Sequence, residues 1–159
     1  MPVIEVLTTI NAAPELCFDL ARDIQMHIES TAGTGEVAVS GVTNGLMELG
    51  DEVTWEATHF GVRQKLTSRM TRFDRPRHFR DSQVRGAFNR FDHDHFFTVE
   101  SGRTIMQDVF DYESPLGLLG HWADRCFLRS YMTKLLKNRA LVIKTVAEAR
   151  TETLPTCFR

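Results

Sequence analysis

Hydrophobic and polar residues alternate along much of the chain, which is the period of a half-buried β-strand. The first such segment is 3–10, where Ile4, Val6 and Ile10 fall on one face. Six further segments follow between residues 36 and 112, separated by turns that contain Gly, Asn or Pro. They are 36–40, 51–60, 62–73, 79–88, 91–100 and 103–112. Because no helix-length segment interrupts these six, the sequence predicts antiparallel pairing rather than a parallel sheet.

Two other segments follow the 3.6-residue period of a helix. The first begins at Pro14 and extends to about residue 31, before Gly33, and is read as one or two short helices. The second begins at the pair Ser114-Pro115, a suitable cap and first turn, and extends without proline to about residue 150. Gly117 and Gly120 weaken its first turns, which predicts a break there.

This order of elements predicts an α+β fold with a helix-grip arrangement. A single sheet of about seven strands has to curve around a helix longer than its strands in order to bury both apolar faces. Such a curve leaves a space between the sheet and the helix. The chain shows no internal repeat and no linker, so residues 1–150 are expected to form one domain and residues 151–159 a loose tail.

Composition agrees with a globular chain and excludes several classes of function. Of 159 residues, 42% are hydrophobic and eleven are Phe, which is too many for a disordered chain. A net charge of −2 argues against a generally basic nucleic-acid binder. No apolar run reaches the roughly 18–20 residues of a membrane span, and the N-terminus lacks the features of a signal peptide. Cys17, Cys126 and Cys157 form no CxxC pair, so reduced thiols and a cytoplasmic location are expected.

Strand alternation also predicts which side chains face the space under the long helix. In 91–99 the apolar residues share their face with His93 and His95, so both histidines are placed inward. Phe79 and Asp81 have one parity along their strand and the apolar or small residues Val84, Gly86 and Phe88 have the other, which predicts a β-bulge between the two sets. The expected ligand-binding residues are Trp55, His59, Gln64, Leu66, Ser68, Met70, Asp81, His93, His95, Phe97, Met106, Asp108, Phe110, Tyr112, Trp122, Phe127 and Tyr131.

The polar residues in this apolar wall allow several kinds of chemistry. His93, His95 and Asp108 can form a structural hydrogen-bond network, orient the polar end of a ligand, or act as general acid and base. They are the catalytic candidates if the protein is an enzyme. His93 and His95 could also share a metal ion with Asp81, Asp108 or His59, but no ligand spacing is diagnostic, so no metal is expected. Motifs for nucleotide binding, serine nucleophiles and zinc proteases are absent, and no cofactor is expected.

A basic stripe lies on the outward face of one predicted strand. Residues 63–90 contain nine basic and two acidic side chains, and Arg63, Lys65 and Arg69 share the outward parity. A solvated face is the simple interpretation, and contact with an anionic membrane or protein surface is the functional alternative. Nucleic acid is not expected as a partner, because no exposed aromatic platform accompanies the stripe.

The order of elements and a set of short motifs resemble those of the START/Bet v 1-like (SRPBCC) superfamily over residues 3–150. The chain is most similar to small bacterial proteins of the polyketide cyclase/dehydrase and lipid-transport type. The motifs are Val53-Thr-Trp55, His59-Phe-Gly61, Leu66-Thr-Ser68, Phe79-Arg-Asp81, His93-Asp-His95, Tyr112-Glu-Ser-Pro-Leu-Gly117 and Leu119-Gly120. The resemblance implies a cavity for a hydrophobic ligand under the C-terminal helix. It names no ligand, because the superfamily includes carriers, receptors, cyclases and hydrolases.

Three functions follow as expectations, in order of preference. The first is a carrier or sensor without catalysis, which holds a small, largely hydrophobic molecule between sheet and helix. The second is a cyclase, dehydratase or hydrolase for a polyketide-like or aromatic substrate, with a cavity histidine as acid or base. The third is an interaction module that uses the basic strand face.

Overall fold

The described part of the chain, residues 2–114 and 127–153 of a computed structural model, contains seven strands and three helices. The strands are β1 (Val3–Ile10), β2 (Val37–Gly41), β3 (Glu52–His59), β4 (Val62–Asp74), β5 (His78–Arg85), β6 (Arg90–Glu100) and β7 (Arg103–Glu113). The helices are α1 (Pro14–Ala21), α2 (Ile24–Ser30) and α3 (Arg129–Thr153), with a 3₁₀ turn at Ala32–Thr34. The seven strands are confirmed, and each end lies within three residues of its predicted position.

All seven strands form one antiparallel sheet in the order β1-β7-β6-β5-β4-β3-β2. Strands β2 to β6 each pair with the next strand of the chain, and β1 pairs with β7, the last strand. This register places Asp108 opposite His95, and His93 opposite Asp81, across neighbouring strands. Cross-strand partners share a face of the sheet, so these four side chains are brought together by pairing alone.

The irregularity predicted in β5 is present at Val84. Thr67 pairs with Arg85 and Ser68 with Gln83, so Val84 is an extra residue between two paired positions and its side chain is exposed. The extra residue reverses the alternation after position 84, so Phe88 can lie on the inward side together with Asp81 although their positions differ in parity.

The first helical segment is divided into two helices at Arg22 and Asp23. The side chain of Asp23 accepts a hydrogen bond of 2.9 Å from the backbone N–H of Met26 and so caps α2. Arg22 turns away from the helix and donates to the carbonyl of Met47 and the carboxylate of Glu48. The two short helices expected after the first strand are therefore confirmed.

Helix α3 lies across the concave face of the sheet. Its buried residues are Leu136, Ala140, Ile143 and Ala147, spaced three or four apart. α3 continues three residues beyond the expected domain end at 150. The first turns predicted for this helix, with Gly117, Gly120 and Trp122, lie outside the described residues. Within the described ranges, no helix combines the length and the apolar character that crossing a membrane would require.

Truncating the buried face of α3 tests this packing. Ile143 is 2% exposed, so Ile143→Ala removes buried methyl groups and leaves a cavity; we expect a loss of about 2–5 kcal/mol in the free energy of unfolding. Leu141, two residues away and 60% exposed, is the control, and Leu141→Ala should change stability by about 0.5 kcal/mol or less. Urea denaturation measures both, and equal losses would contradict this orientation of α3.

Candidate functional site

A cavity of about 350 Å³ lies between the concave face of the sheet and α3. Strands β3, β4, β6 and β7 form one wall and α3 the other. Most of the lining is apolar: Trp55, Ala57, Phe60, Leu66, Phe88, Phe91, Phe110, Phe127, Leu128, Met132, Leu135 and Leu136. Its volume lies in the range of about 300–1,000 Å³ that is usual for small-molecule sites.

An aromatic clasp joins the β3–β4 hairpin to α3 at the solvent-facing end of the cavity. The Phe60 ring lies 5.2 Å from that of Phe127 and 4.6 Å from that of Tyr131, between centroids. Phe60 and Gly61 both have positive φ, at 52° and 75°, which is the backbone of a two-residue type I′ hairpin turn. The hydroxyl of Tyr131 and Nδ1 of His59 are 2.8 Å apart, so the clasp also contains a hydrogen bond.

A second polar pair lies beside Trp55. The His27 ring stacks on Trp55 with centroids 4.1 Å apart, and its Nε2 lies 3.1 Å from the Glu36 carboxylate. Burial raises the pKa of Glu36, but the contact with His27 outweighs this and holds that pKa below its ordinary value. Burial and the charge of Glu36 together raise the pKa of Tyr131, so its phenol stays protonated.

The deepest polar group is a cluster of four side chains, Asp81, His93, His95 and Asp108. The Asp108 carboxylate lies 2.6 Å from Nδ1 of His95 and 3.5 Å from Nε2 of His93. Nε2 of His95 lies 3.7 Å from the Asp81 carboxylate. His93, His95 and Asp108 are buried. Nε2 of His93 and both ring nitrogens of His95 make no well-aligned hydrogen bond with the described residues. The cluster is therefore held mainly by charge.

The pKa directions differ between the two histidines. Burial lowers the pKa of His95, but Asp108 and Asp81 outweigh it, so the net shift is upward and His95 takes up a proton more readily than His93. Burial and the neighbouring His95 lower the pKa of His93 to about 4, so this ring is neutral at pH 7. Burial raises the pKa of Asp108, whereas the two histidines hold it far below its usual range as a carboxylate.

Only one member of the His93–His95 pair reaches the main cavity. His93 lines it, and His95 lies behind it, stacked on Phe79 with centroids 4.2 Å apart. A neutral His93 that directs Nε2–H toward Asp108 leaves Nδ1 as a hydrogen-bond acceptor. The site can therefore accept a proton or a hydrogen bond at His93, with Asp108 positioned to stabilise the charge.

The same cluster contains the three residues that could ligate a metal. The ligand atoms of His93, His95 and Asp108 lie within 4.8 Å of one another. Two imidazoles and one carboxylate are a donor set that several transition metals accept. Asp108 nevertheless contacts His95 directly at 2.6 Å, which is the arrangement of an ion pair.

A smaller chamber of about 80 Å³ adjoins the main cavity. Ser68, Met70 and Asp81 line this chamber but not the main cavity, whereas Arg139 lines both spaces. The other shared lining residues are His27, Glu36, Trp55, Leu66 and Phe91. The junction of the two chambers is therefore more polar than the rest of the main cavity.

The structure separates the predicted ligand-binding residues into three groups. Those that line the main cavity are Trp55, His59, Gln64, Leu66, His93, Phe110, Phe127 and Tyr131. Ser68, Met70 and Asp81 line the smaller chamber. His95, Phe97, Met106, Asp108 and Tyr112 are buried and line neither space. Phe18 of α1 explains the position of Phe97, because its ring packs 5.4 Å from that of Phe97 and fills this part of the concave face.

Several lining residues were missed by sequence reasoning. The polar ones are His27, Glu36 and Arg139, and the aromatic ones are Phe60, Phe88 and Phe91. Arg139 carried a usable signal, because it lies three residues after Leu136 and four before Ile143, on the buried face of α3. His27 and Glu36 carried none, since only the turn after α2 brings them together.

The basic stripe is offset by carboxylates of the neighbouring strand β3. Nε of Arg63 donates to Glu56 at 2.8 Å, and Nζ of Lys65 lies 3.4 Å from the same carboxylate. Nε of Arg69 donates to Glu52 at 2.8 Å. This pairing favours the solvated-face interpretation over a docking surface.

Neither a protein-family model nor a curated protein sequence matches the chain. Solved structures do match it. Zhui aromatase/cyclase from Streptomyces sp. R1128 superposes with a TM-score of 0.77 over 98% of this chain and 99% of its own, at 15% identity. A protein from Thermus thermophilus gives 0.71 over 92% and 99%, at 19% identity. Major latex-like protein 151 from Panax ginseng gives 0.67 over 92% and 97%, at 14% identity.

At 14–19% identity these likenesses establish architecture rather than chemistry. They cover nearly the whole length of each protein, so the shared feature is the complete fold and not a fragment. The Bet v 1-like and cyclase resemblance expected from the sequence motifs is thus confirmed at the level of the fold. This chain has the helix-grip fold that its order of elements predicts.

Proposed function

We propose that this protein binds a small, largely hydrophobic molecule in the cavity between its sheet and α3, as a carrier or sensor. The observation that carries the proposal is the cavity itself, about 350 Å³ in volume and lined mainly by aromatic and aliphatic side chains. An apolar space of this size in water is a site for an apolar occupant, because burial of apolar surface drives binding.

The polar lining supports an amphipathic rather than a purely apolar ligand. His59 and Tyr131 lie at the solvent-facing end, and His93 and Arg139 lie deeper. Few polar groups at fixed positions orient a ligand inside an apolar site. The flat rings of Trp55, Phe88 and Phe110 favour a ligand that contains rings, since stacked and edge-on ring contacts add to area burial.

We also propose that the protein acts in the cytoplasm on a small molecule. Cys17 is buried and free, and burial raises the pKa of its thiol to about 11. A protonated, unpaired cysteine of this kind is typical of reducing compartments.

Native mass spectrometry of the freshly purified protein is the first test, followed by extraction under denaturing conditions. A stoichiometric adduct of an apolar molecule is the expected result, and its mass gives the ligand class. The proposal fails if the mass is that of the bare chain and a neutral fluorescent probe, N-phenyl-1-naphthylamine, also fails to bind.

A pair of phenylalanine variants on β3 locates the binding. Ala57 is buried and lines the cavity, whereas its neighbour Thr58 is exposed on the opposite face. Ala57→Phe places a ring in the cavity and should weaken binding of N-phenyl-1-naphthylamine by roughly tenfold or more, since the ring occupies space that the probe needs. Thr58→Phe should bind the probe as wild type does. Fluorescence titration measures both, and equal affinities would place the probe elsewhere.

A cyclase or dehydratase acting on a polyketide-like or aromatic substrate is the second candidate. It is favoured by His93, a neutral imidazole on the cavity wall with a carboxylate behind it. Such a ring can remove a proton from a carbon beside a carbonyl, and Asp108 would stabilise the imidazolium that forms. The structural likeness to Zhui aromatase/cyclase over nearly the whole chain supports the same candidate.

Replacing His93 tests the catalytic candidate. With a linear poly-β-ketone substrate, His93→Phe should lower kcat by about 100-fold or more while substrate binding is retained, because proton transfer is lost. In wild type, kcat/KM should fall only as the pH approaches 4, where His93 becomes protonated. His78→Phe is the control, since His78 contacts Asp94 outside the cavity. Undiminished turnover in His93→Phe would exclude this mechanism and leave the binding proposal intact.

A further inference from the structure

Arg139 is a cation placed at the junction of the two chambers. It extends from the buried face of α3 and lines both the main cavity and the smaller chamber. One of its Nη atoms donates to the backbone carbonyl of Ala21 at 2.6 Å, which fixes the guanidinium against the end of α1. The side chain is half-buried, so bulk water hydrates only part of it.

The guanidinium has more donors than partners. It carries five N–H groups, and the Ala21 carbonyl accepts one of them. Within residues 2–114 and 127–153, no carboxylate lies at ion-pair distance from Arg139. By contrast, the half-buried Arg80 has its carboxylate partner, Asp94, at 2.7 Å. Arg139 therefore presents unfilled donors to the space that a ligand would enter.

The charges around the junction select among the possible acceptors. Three carboxylates, those of Asp23, Glu36 and Asp81, line the smaller chamber with Arg139. Arg22 lines it too, but it is already paired with Asp19 and Glu48. A ligand carboxylate would add a fourth negative charge to this space, which like-charge repulsion and burial both oppose. A neutral carbonyl oxygen accepts from a guanidinium without that cost.

We propose that Arg139 donates to a carbonyl oxygen of the bound ligand, so that the ligand is an apolar ring compound carrying a ketone, aldehyde or ester group. This inference rests on the proposed binding function and deepens it. The carbonyl lies at the junction of the chambers, and the apolar body occupies the main cavity. Arg139 is thereby a specificity residue, contributed by α3 rather than by the sheet.

A matched series of naphthalenes tests the inference with the wild-type protein. The probes are 2-ethylnaphthalene, 2-acetylnaphthalene and 2-naphthoate, which share one ring system and differ in the acceptor. We expect 2-acetylnaphthalene to bind about tenfold more tightly than 2-ethylnaphthalene, the effect of one hydrogen bond to a charged donor. 2-Naphthoate should bind more weakly than 2-acetylnaphthalene. Isothermal titration calorimetry measures all three.

Variants on α3 assign the preference to Arg139. Arg139→Met keeps the length of the side chain and removes the donors, so the two neutral probes should bind within about twofold of each other. Lys137→Met, at an exposed position two residues away, should keep the wild-type preference. If Arg139→Met does not fold, Arg139→Lys retains a cation but has three donors in place of the planar set of five, and it should show a reduced preference.

Each outcome separates the inference from the function on which it rests. If 2-ethylnaphthalene binds the wild-type protein and the ketone gains nothing, the binding function stands and the role of Arg139 is wrong. Tighter binding of 2-naphthoate than of the ketone overturns the assignment of a neutral carbonyl. A ketone preference that survives in Arg139→Met assigns it to another residue. If none of the three naphthalenes binds wild type although N-phenyl-1-naphthylamine does, the assigned ligand class is wrong and the binding function stands. If N-phenyl-1-naphthylamine also fails to bind and the protein carries no adduct, the proposed function itself fails.

Discussion

The packing of Phe18 against the sheet decides where this protein has space. Its ring lies about 5 Å from those of Phe73, Phe79 and Phe97, so α1 seals one end of the concave face as a solid aromatic core. Helix α3 covers the other end, and there the facing side chains do not meet closely enough to exclude a cavity. The fold thus divides one continuous apolar face into a packed half that supplies stability and an open half that is free to bind.

The buried charges follow from this division. Asp108 lies behind the cavity wall, where a carboxylate without a partner would be very costly, and the two histidines of β6 meet that requirement. His95 lies between two carboxylates, which raise its pKa, so it takes up a proton more readily than His93. His93 then stays neutral and faces the cavity. The arrangement that stabilises the sheet therefore also produces a proton acceptor on the wall of the binding site.

Strand positions and inward parity could be predicted from the sequence because alternation is a local property. Parity placed His93, Trp55 and Phe110 on the correct face, and the change of parity between Asp81 and Phe88 located a real bulge. Parity does not show which inward-facing residues are packed against a helix and which line the cavity. Phe97 and Met106 share that face but lie in the packed core. His27 and Arg139 were missed because helices bring them to the site, and their contacts depend on tertiary packing.

The position of Arg139 bears on how a carrier and an enzyme could use the same cavity. A ligand that contacts both Arg139 on α3 and His93 on β6 bridges the helix and the sheet, so its binding stabilises their packing. A carrier uses that coupling to close around its cargo. An enzyme uses the same two contacts to hold a carbonyl beside a proton acceptor. The hydrogen bond from Arg139 polarises the carbonyl and so makes the adjacent C–H bond more acidic, and His93 is placed to accept that proton. The two functions differ in what the ligand offers to His93: a hydrogen bond in one case and an acidic carbon in the other.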